Sequence, residues 1–247
     1  MGAYAGPKIA FDSVITAHDA TINKQGTTRF VTDLSGQGRD CQILNGAAYD
    51  ANQDAIYHDG NNDMTVNYNV RSNECAWTPG GAKGVITQTL EMWVKTSDGS
   101  GRLYTKPWNG SGRYNVWMYP NNFYLLVGTG VSSGSDSSNS ISFSESIADG
   151  NWHQLVCWMN STTMGYSIDG NRVTGQKTHG LANYVSDYGD ANLPQGYMTL
   201  YPYGNGWGGN TGFGIQGNLA IFRHYSRVLS AEEIQRNFVA LRGRFGL

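Results

Sequence analysis

A period of two in the apolar residues is the pattern that most restricts the fold of this 247-residue chain. Leu90, Met92 and Val94 alternate with Glu91, Trp93 and Lys95, and over residues 152–159 both alternating sets are largely apolar. Alternation predicts a β-strand, and apolar residues on both faces predict a central strand covered on both sides. Because such short segments are separated by Gly, Asn and Asp, the sequence predicts two packed antiparallel sheets.

Two local patterns refine the strand assignment. Met164, Tyr166 and Ile168 alternate with smaller or polar residues, and the Asp169-Gly170-Asn171 sequence that follows predicts a tight hairpin turn. The last long strand carries a glycine, Gly217, which predicts a bulge or a close approach of two backbones. The residues that we expect to share one face of this strand are Phe213, Ile215, Leu219 and Ile221.

One helix is predicted, near the carboxyl end of the chain. Ser230 and Glu233 have the spacing of a capping box, and Leu229 with Ile234 has the spacing of a hydrophobic staple. Phe238 continues the apolar face at helical spacing, and Gly243 ends it. We expect this helix at the edge of the sandwich, with residues 242–245 as a tail.

Composition predicts one domain over residues 9–247, preceded by a short arm over residues 1–8. Charged residues make up 15% of the chain and the net charge is −2, so no basic surface for nucleic acid is expected. No apolar run is long enough for a spanning helix, and no signal peptide is visible. Three cysteines cannot all pair, and we expect Cys157 to be a buried thiol in a protein that folds in a reducing cytoplasm.

Five segments together resemble the laminin-G-like, concanavalin A-type jelly roll. The resemblance covers roughly residues 8 to 245 and implies an all-β, antiparallel jelly-roll β-sandwich with one short carboxy-terminal α-helix. It fixes the fold better than the function. The segments lie at residues 32–38, 58–63, 89–95, 149–156 and 217–238.

Catalysis is not expected. Hydrolases on this fold resemble one another in a strand that carries Glu-x-Asp-x-x-Glu, because a nucleophile and an acid must flank one sugar linkage. Here Glu91 has Trp93 and Thr96 at the corresponding positions, so we interpret Glu91 as structural. His58 and Asp59 are adjacent in a strand and point to opposite faces, and His153 is interpreted as sheet packing.

Calcium is a candidate ligand because many members of the resembling family hold one ion in loops at the sandwich rim. Asp33, Asp59 and Asp63 lie in glycine-rich turns and offer the hard oxygen ligands that calcium prefers. The alternative is that these aspartates accept hydrogen bonds from backbone amides in tight turns. The sequence leaves both interpretations open.

Clustered aromatic residues mark a candidate carbohydrate site or an interface with a neighbouring subunit. Aromatic rings stack on the apolar face of a pyranose while nearby amides bind its hydroxyl groups. The same rings would serve equally in a subunit contact. One group comprises Trp108, Tyr114, Trp117 and Tyr119, and the other comprises Tyr201, Tyr203 and Trp207.

The carboxy-terminal segment, residues 229–247, is similar to the endings of laminin-G-like domains in tailed-phage structural proteins. This resemblance implies a non-enzymatic head or tail decoration protein on the virion surface, made in the host cytoplasm. Its expected partners are capsid or tail subunits or copies of itself, and cell-surface glycans, with no nucleic acid and no membrane. The alternative is a free-standing bacterial lectin, and a third reading is a glycoside hydrolase.

Overall fold

The structure is a computed structural model that describes residues 8–23, 30–44, 46–60, 64–67, 88–101, 103–106, 116–120, 124–127, 140–142, 145–160, 163–178, 198–200 and 215–247. Of the predicted arm, only Lys8 is among the described residues. Cys75 and Phe213 also lie outside them. Within the described residues no helix is long and apolar enough to cross a membrane.

Strands dominate the described residues, and one α-helix follows them. The helix α1 spans Ala231–Leu241, and short 3-10 turns occupy Ala20–Asn23 and Arg242–Arg244. The strands, in chain order, are β1 (Val14–Asp19), β2 (Phe30–Val31), β3 (Cys41–Leu44), β4 (Ala48–Asp50), β5 (Ala55–Asp59), β6 (Met64–Asn67), β7 (Gln88–Thr96), β8 (Tyr104–Lys106), β9 (Val116–Tyr119), β10 (Tyr124–Val127), β11 (Ser140–Ser142), β12 (Trp152–Met159), β13 (Thr163–Ile168), β14 (Asn171–Thr178), β15 (Met198–Leu200) and β16 (Gln216–Tyr225).

The strands form two antiparallel sheets, as the alternation predicted. The first sheet has the order β14-β13-β12-β7-β16-β5-β4, with β1 paired to β16 beside this path. The second sheet has the order β11-β10-β9-β8-β15-β6-β3-β2. Neighbours in both sheets are often far apart in sequence, as in the crossing connections of a jelly roll. The all-β prediction with one carboxy-terminal helix is confirmed.

The main hydrophobic core lies between the two sheets. Leu90, Met92 and Val94 of β7 pack in it beside Val31 and Cys41 of the second sheet, and all five are buried. The prediction that one face of β7 points inward is therefore confirmed. Cys157 is also buried in this core as a free thiol, and burial raises its pKa well above the ordinary value.

The carboxy-terminal helix covers the outer face of the first sheet, so the expectation of an edge position was wrong. Phe238 of α1 stacks on Trp93 in the central strand β7, with ring centroids 5.9 Å apart. Phe245, expected in a free tail, stacks on Trp93 at 4.2 Å and is 8% exposed. The reason is that β7 and β12 present large apolar side chains on this face too, and burying them is favourable.

The predicted turn and the predicted close approach are both present. Asp169 and Gly170 have φ of 52° and 74° and connect β13 to β14, the backbone that a two-residue hairpin turn requires. At Gly217 a Cβ would lie 2.5 Å from the carbonyl oxygen of Lys95, so only glycine fits.

One prediction for the last strand was wrong. Leu219 lies in the core between the sheets, whereas Ile221 lies under the helix, because the pairing of β16 with β7 shifts between these two residues. An extra residue in one strand reverses the faces that follow it.

Candidate functional site

The aromatic positions predicted to form a carbohydrate site or a subunit interface fall on the second sheet where the structure describes them. Trp117 and Tyr119 lie on β9, where Trp117 is opposite Leu126 and Thr105 and Tyr119 is opposite Tyr124. Trp108, Tyr114, Tyr201, Tyr203 and Trp207 lie outside the described residues.

The sheet order places β9 and β15 on the two sides of β8. The first aromatic group of the sequence lies in and before β9, and the second begins at the residue after β15. Strand β8 pairs with both β9 and β15, with Tyr104 opposite Met118 on one side and Leu200 on the other. Two segments that are far apart in sequence are thus joined through a single strand of the second sheet.

Asp33, a predicted calcium ligand, is surrounded by hydrogen-bond donors. Its Oδ1 accepts from the amides of Ala17 (2.9 Å) and Ser35 (3.0 Å), and its Oδ2 accepts from the Ser35 hydroxyl (2.6 Å) and the Arg39 amide (3.0 Å). Burial raises the pKa of Asp33, but these hydrogen bonds lower it more, and the net shift is downward. The geometry is that of a carboxylate that stabilises a turn.

The remaining calcium candidates are only partly described. Asp59 ends β5 as an exposed residue beside buried His58, as the alternation of faces predicted, and Asp63 lies outside the described residues. Burial lowers the pKa of His58 to about 3, so its imidazole is neutral. Among the described residues no three His, Cys, Asp or Glu side chains are grouped to hold a metal ion. Calcium at these positions stays a prediction.

Glu91 is the centre of a polar network that sequence reasoning did not find. Its side chain is 0% exposed, beneath α1. Its Oε1 accepts from Gln154 Nε2 at 2.8 Å and from Arg223 Nη1 at 3.1 Å. Its Oε2 accepts from Asn237 Nδ2 at 2.9 Å and lies 3.1 Å from the hydroxyl of Tyr225.

Three strands and the helix together build this network. Glu91 pairs with Arg223 of β16 on one side and with Val156 of β12 on the other, and Asn237 comes from α1. Burial and the Glu91 charge raise the pKa of Tyr225, so its hydroxyl keeps its proton. A buried carboxylate is stable only when donors surround it, and this one is saturated. The geometry fits the interpretation of Glu91 as structural.

His153 lies between two aspartate carboxylates, contacts that the interpretation as sheet packing did not include. Its Nδ1 lies 2.8 Å from Asp169 and its Nε2 lies 3.1 Å from Asp149. Burial lowers the pKa of His153, but the hydrogen bonds to these two aspartates raise it more, and the net shift is upward. An imidazole donates from both nitrogens only when it is protonated.

Comparison with known proteins agrees with this architecture. No curated protein matches the sequence. Among solved structures, Trypanosoma rangeli sialidase in complex with 2,3-difluorosialic acid has a TM-score of 0.60 and 14% identity, over 97% of this chain and 35% of that one. A structure of botulinum neurotoxin type C, whose cell entry depends on interaction with two ganglioside molecules, has a TM-score of 0.60 and 14% identity. This match covers 92% of this chain and 51% of that one.

A third structure matches over nearly the whole length of both chains. Domain 4 of AbnA, a GH43 extracellular arabinanase from Geobacillus stearothermophilus, in complex with arabinotriose, has a TM-score of 0.60 and 16% identity, over 92% of this chain and 98% of that one. The chain thus spans about a third of the sialidase and about half of the toxin chain. At these identities the likeness is one of fold.

The family assignment comes from the sequence match. The family model described as the concanavalin A-like lectin/glucanases superfamily matches residues 71–235, more than half of the chain. The match includes β7, β12 and β16, which carry Glu91 and its strand partners. The chain belongs to the concanavalin A-like lectin/glucanases superfamily.

Proposed function

We propose that this chain is a non-catalytic carbohydrate-binding module. The observation that carries the proposal is the enclosure of Glu91 beneath the helix of a lectin-type fold. A general acid or a nucleophile has to reach its substrate, and this carboxylate is bound by protein donors on both oxygens. A fold of this family without a reachable catalytic carboxylate on β7 is suited to holding sugars rather than cleaving them.

The structural neighbours support a binding role at the level of fold. Domain 4 of the arabinanase, solved with arabinotriose, matches 92% of this chain over 98% of its own length, whereas the match to the sialidase covers 35% of that chain. The botulinum neurotoxin structure concerns interaction with gangliosides. These ligands belong to those proteins, and for this chain they define the first glycan classes to test.

We propose that the glycan site includes β9 of the second sheet, with the aromatic residues that follow β15 in sequence as further candidates. Trp117 and Tyr119 lie on β9, and Tyr201, Tyr203 and Trp207 follow β15 in sequence. Aromatic side chains supply the apolar surface on which a sugar ring stacks. Calcium bound by Asp59 and Asp63 is a separate proposal, since hard oxygen ligands are the only feature that supports it.

A glycan array tests this function directly. The full chain is applied to arrays that include arabino-oligosaccharides, gangliosides and bacterial polysaccharides, beside the variants Trp117→Ala and Tyr119→Ala. Tyr57→Ala is the matched control, because it removes a half-buried aromatic ring from β5 of the other sheet. Retention that is lost in the β9 variants and kept in the control supports the proposal. Absence of retention on every glycan contradicts it.

The setting that we propose is the surface of a tailed-phage virion, with capsid or tail subunits as partners. The resemblance of residues 229–247 supports it, and so do the buried thiols Cys41 and Cys157, which form no disulfide among the described residues. The alternative setting is a free-standing bacterial lectin. Mass spectrometry of purified virions from the source of this sequence separates them: a constant copy number per particle supports the virion, and absence from particles supports the lectin.

A further inference from the structure

The amino-terminal segment contacts the carboxy-terminal helix at Asn237 and, just before the helix, Arg227. At Ala10, the amide donates to Asn237 Oδ1 at 2.9 Å and the carbonyl oxygen lies 3.2 Å from the hydroxyl of Tyr225. At Asp12, both carboxylate oxygens lie 2.9 Å from Arg227 Nη2. We call residues 10–12 the amino-terminal strap.

The attachment at Ala10 is buried and continuous with the Glu91 network. Ala10 is 3% exposed and Asn237 is 0% exposed. The Asn237 side chain uses its oxygen for Ala10 and its nitrogen for Glu91. Removing the strap would leave the Asn237 oxygen without this donor beneath the helix, and a buried polar atom that loses its partner is costly. The position of the strap and the docking of the helix are therefore linked through one amide group.

The attachment at Asp12 joins the strap to the helix cap. Arg227 binds Asp12 and also binds Glu233 at 2.6 and 2.7 Å, and Glu233 completes the capping box with Ser230. The hydrogen bonds from Arg227 lower the pKa of Glu233 to about 2. The Asp12 side chain is 70% exposed, and an exposed ion pair contributes little energy. This second attachment orients the strap, while Ala10 supplies the buried contact.

Ser13 connects the strap to the first sheet through an unusual backbone conformation. Its φ is 62°, in the left-handed region that non-glycine residues seldom adopt. The next residue begins β1, which pairs with β16, and the Ser226 amide donates to the Ser13 carbonyl at 2.9 Å. The chain therefore turns at Ser13 from the sheet into the layer of the helix.

We propose that the amino-terminal strap is a conformational latch that holds α1 on the first sheet, so that withdrawal of the segment before Ser13 loosens the helix from Glu91. This device is independent of the glycan site on the second sheet, and its test requires no ligand.

Native-state hydrogen exchange, read by mass spectrometry, compares two truncations of the full chain. One begins at Ile9 and keeps the strap, and the other begins at Ser13 and removes it. We expect amides of Ala231–Leu241 to exchange about tenfold faster or more in the second, the effect of one buried polar atom losing its partner. In the first truncation and in strands β7 and β12 of both, exchange should match the full chain. Equal helix exchange in the two truncations overturns the proposal.

A point variant covers the case in which the longer truncation does not fold. Ala10→Pro removes the amide proton that Asn237 accepts, and Lys8→Pro is the matched control at an exposed position. The proposal expects faster helix exchange in Ala10→Pro than in Lys8→Pro. Because Asn237→Ala already removes the contact with the Ala10 amide, together with its donation to Glu91, adding Ala10→Pro to that variant should accelerate exchange less than it does in the native chain. Additive effects, or acceleration shared by β7, would show that the segment adds only general stability.

Discussion

At the scale of single residues, the most informative side chain is Glu91. Because its carboxylate is buried, the side chains around it have to donate hydrogen bonds to it. The carboxylate needs donors because it is removed from water, and Gln154, Arg223 and Asn237 supply them from two strands and the helix. The sequence already indicated that Glu91 is not half of a catalytic pair, because no second carboxylate stands at the required spacing. Its partners were not predictable, because strand register determines them and one sequence does not reveal register.

The buried ion pair predicts an asymmetric response to mutation. Glu91→Gln leaves the Arg223 guanidinium buried without its counter-charge, and we expect a loss of about 3 to 5 kcal/mol in the free energy of unfolding. The double variant Glu91→Gln/Arg223→Met removes both charges and should recover part of this loss. Chemical denaturation of the two variants gives the comparison. A single variant that costs less than about 1 kcal/mol would mean that the pair is not buried as described.

His153 predicts a stability that depends on pH. Its folded-state pKa is raised, so the stability that its protonated form adds is fully present below the ordinary value of 6.5 and is lost as the pH rises through the raised value. Melting temperatures measured from below 6.5 upward should therefore fall more steeply for the native chain than for His153→Gln. Burial lowers the pKa of His58 to about 3, so this residue destabilises the fold as the pH falls below 6.5, but it does so equally in both proteins and cancels from their difference. Parallel curves for the two proteins would show that the contacts of His153 with Asp149 and Asp169 do not stabilise the fold.

At the scale of elements, the sequence predicted the caps and turns that depend on nearby residues, but not where an element docks in the fold. The capping box, the staple residues and the Asp169-Gly170 turn depend on neighbours within a few residues, and all three are present. The face of Ile221 and the docking position of α1 depend on a bulge and on which sheet offers a second apolar face. Neither feature leaves a local pattern, which is why both expectations failed.

The helix predicts two unequal losses of stability. Ser230→Ala removes the side chain that accepts the Glu233 amide and should cost about 1 kcal/mol. Phe238→Ala removes a ring stacked on Trp93 and should cost about 3 kcal/mol. Val239→Ala, at an exposed position of the same helix, is the control. Losses for Phe238→Ala no larger than for the control would show that the helix is not docked on the first sheet.

At the scale of the whole molecule, the two faces of the first sheet are both covered, one by the second sheet and the other by the helix. The five sequence segments predicted this superfamily because their order, more than any one of them, is typical of it. The placement of β9 and β15 on either side of β8 was less predictable, since it depends on the order of strands in the second sheet. Ligand identity depends on the surface of the candidate sugar site rather than on the fold.

The central claim is that the chain binds glycan and leaves it intact. The most direct measurement is an NMR titration that follows the signals of the best-retained oligosaccharide as the full chain is added. We predict saturable broadening of the sugar signals, reduced in Trp117→Ala, with no new reducing-end signals during prolonged incubation. Appearance of reducing ends would make the protein a hydrolase, and an absence of broadening for every glycan tried would contradict carbohydrate binding itself.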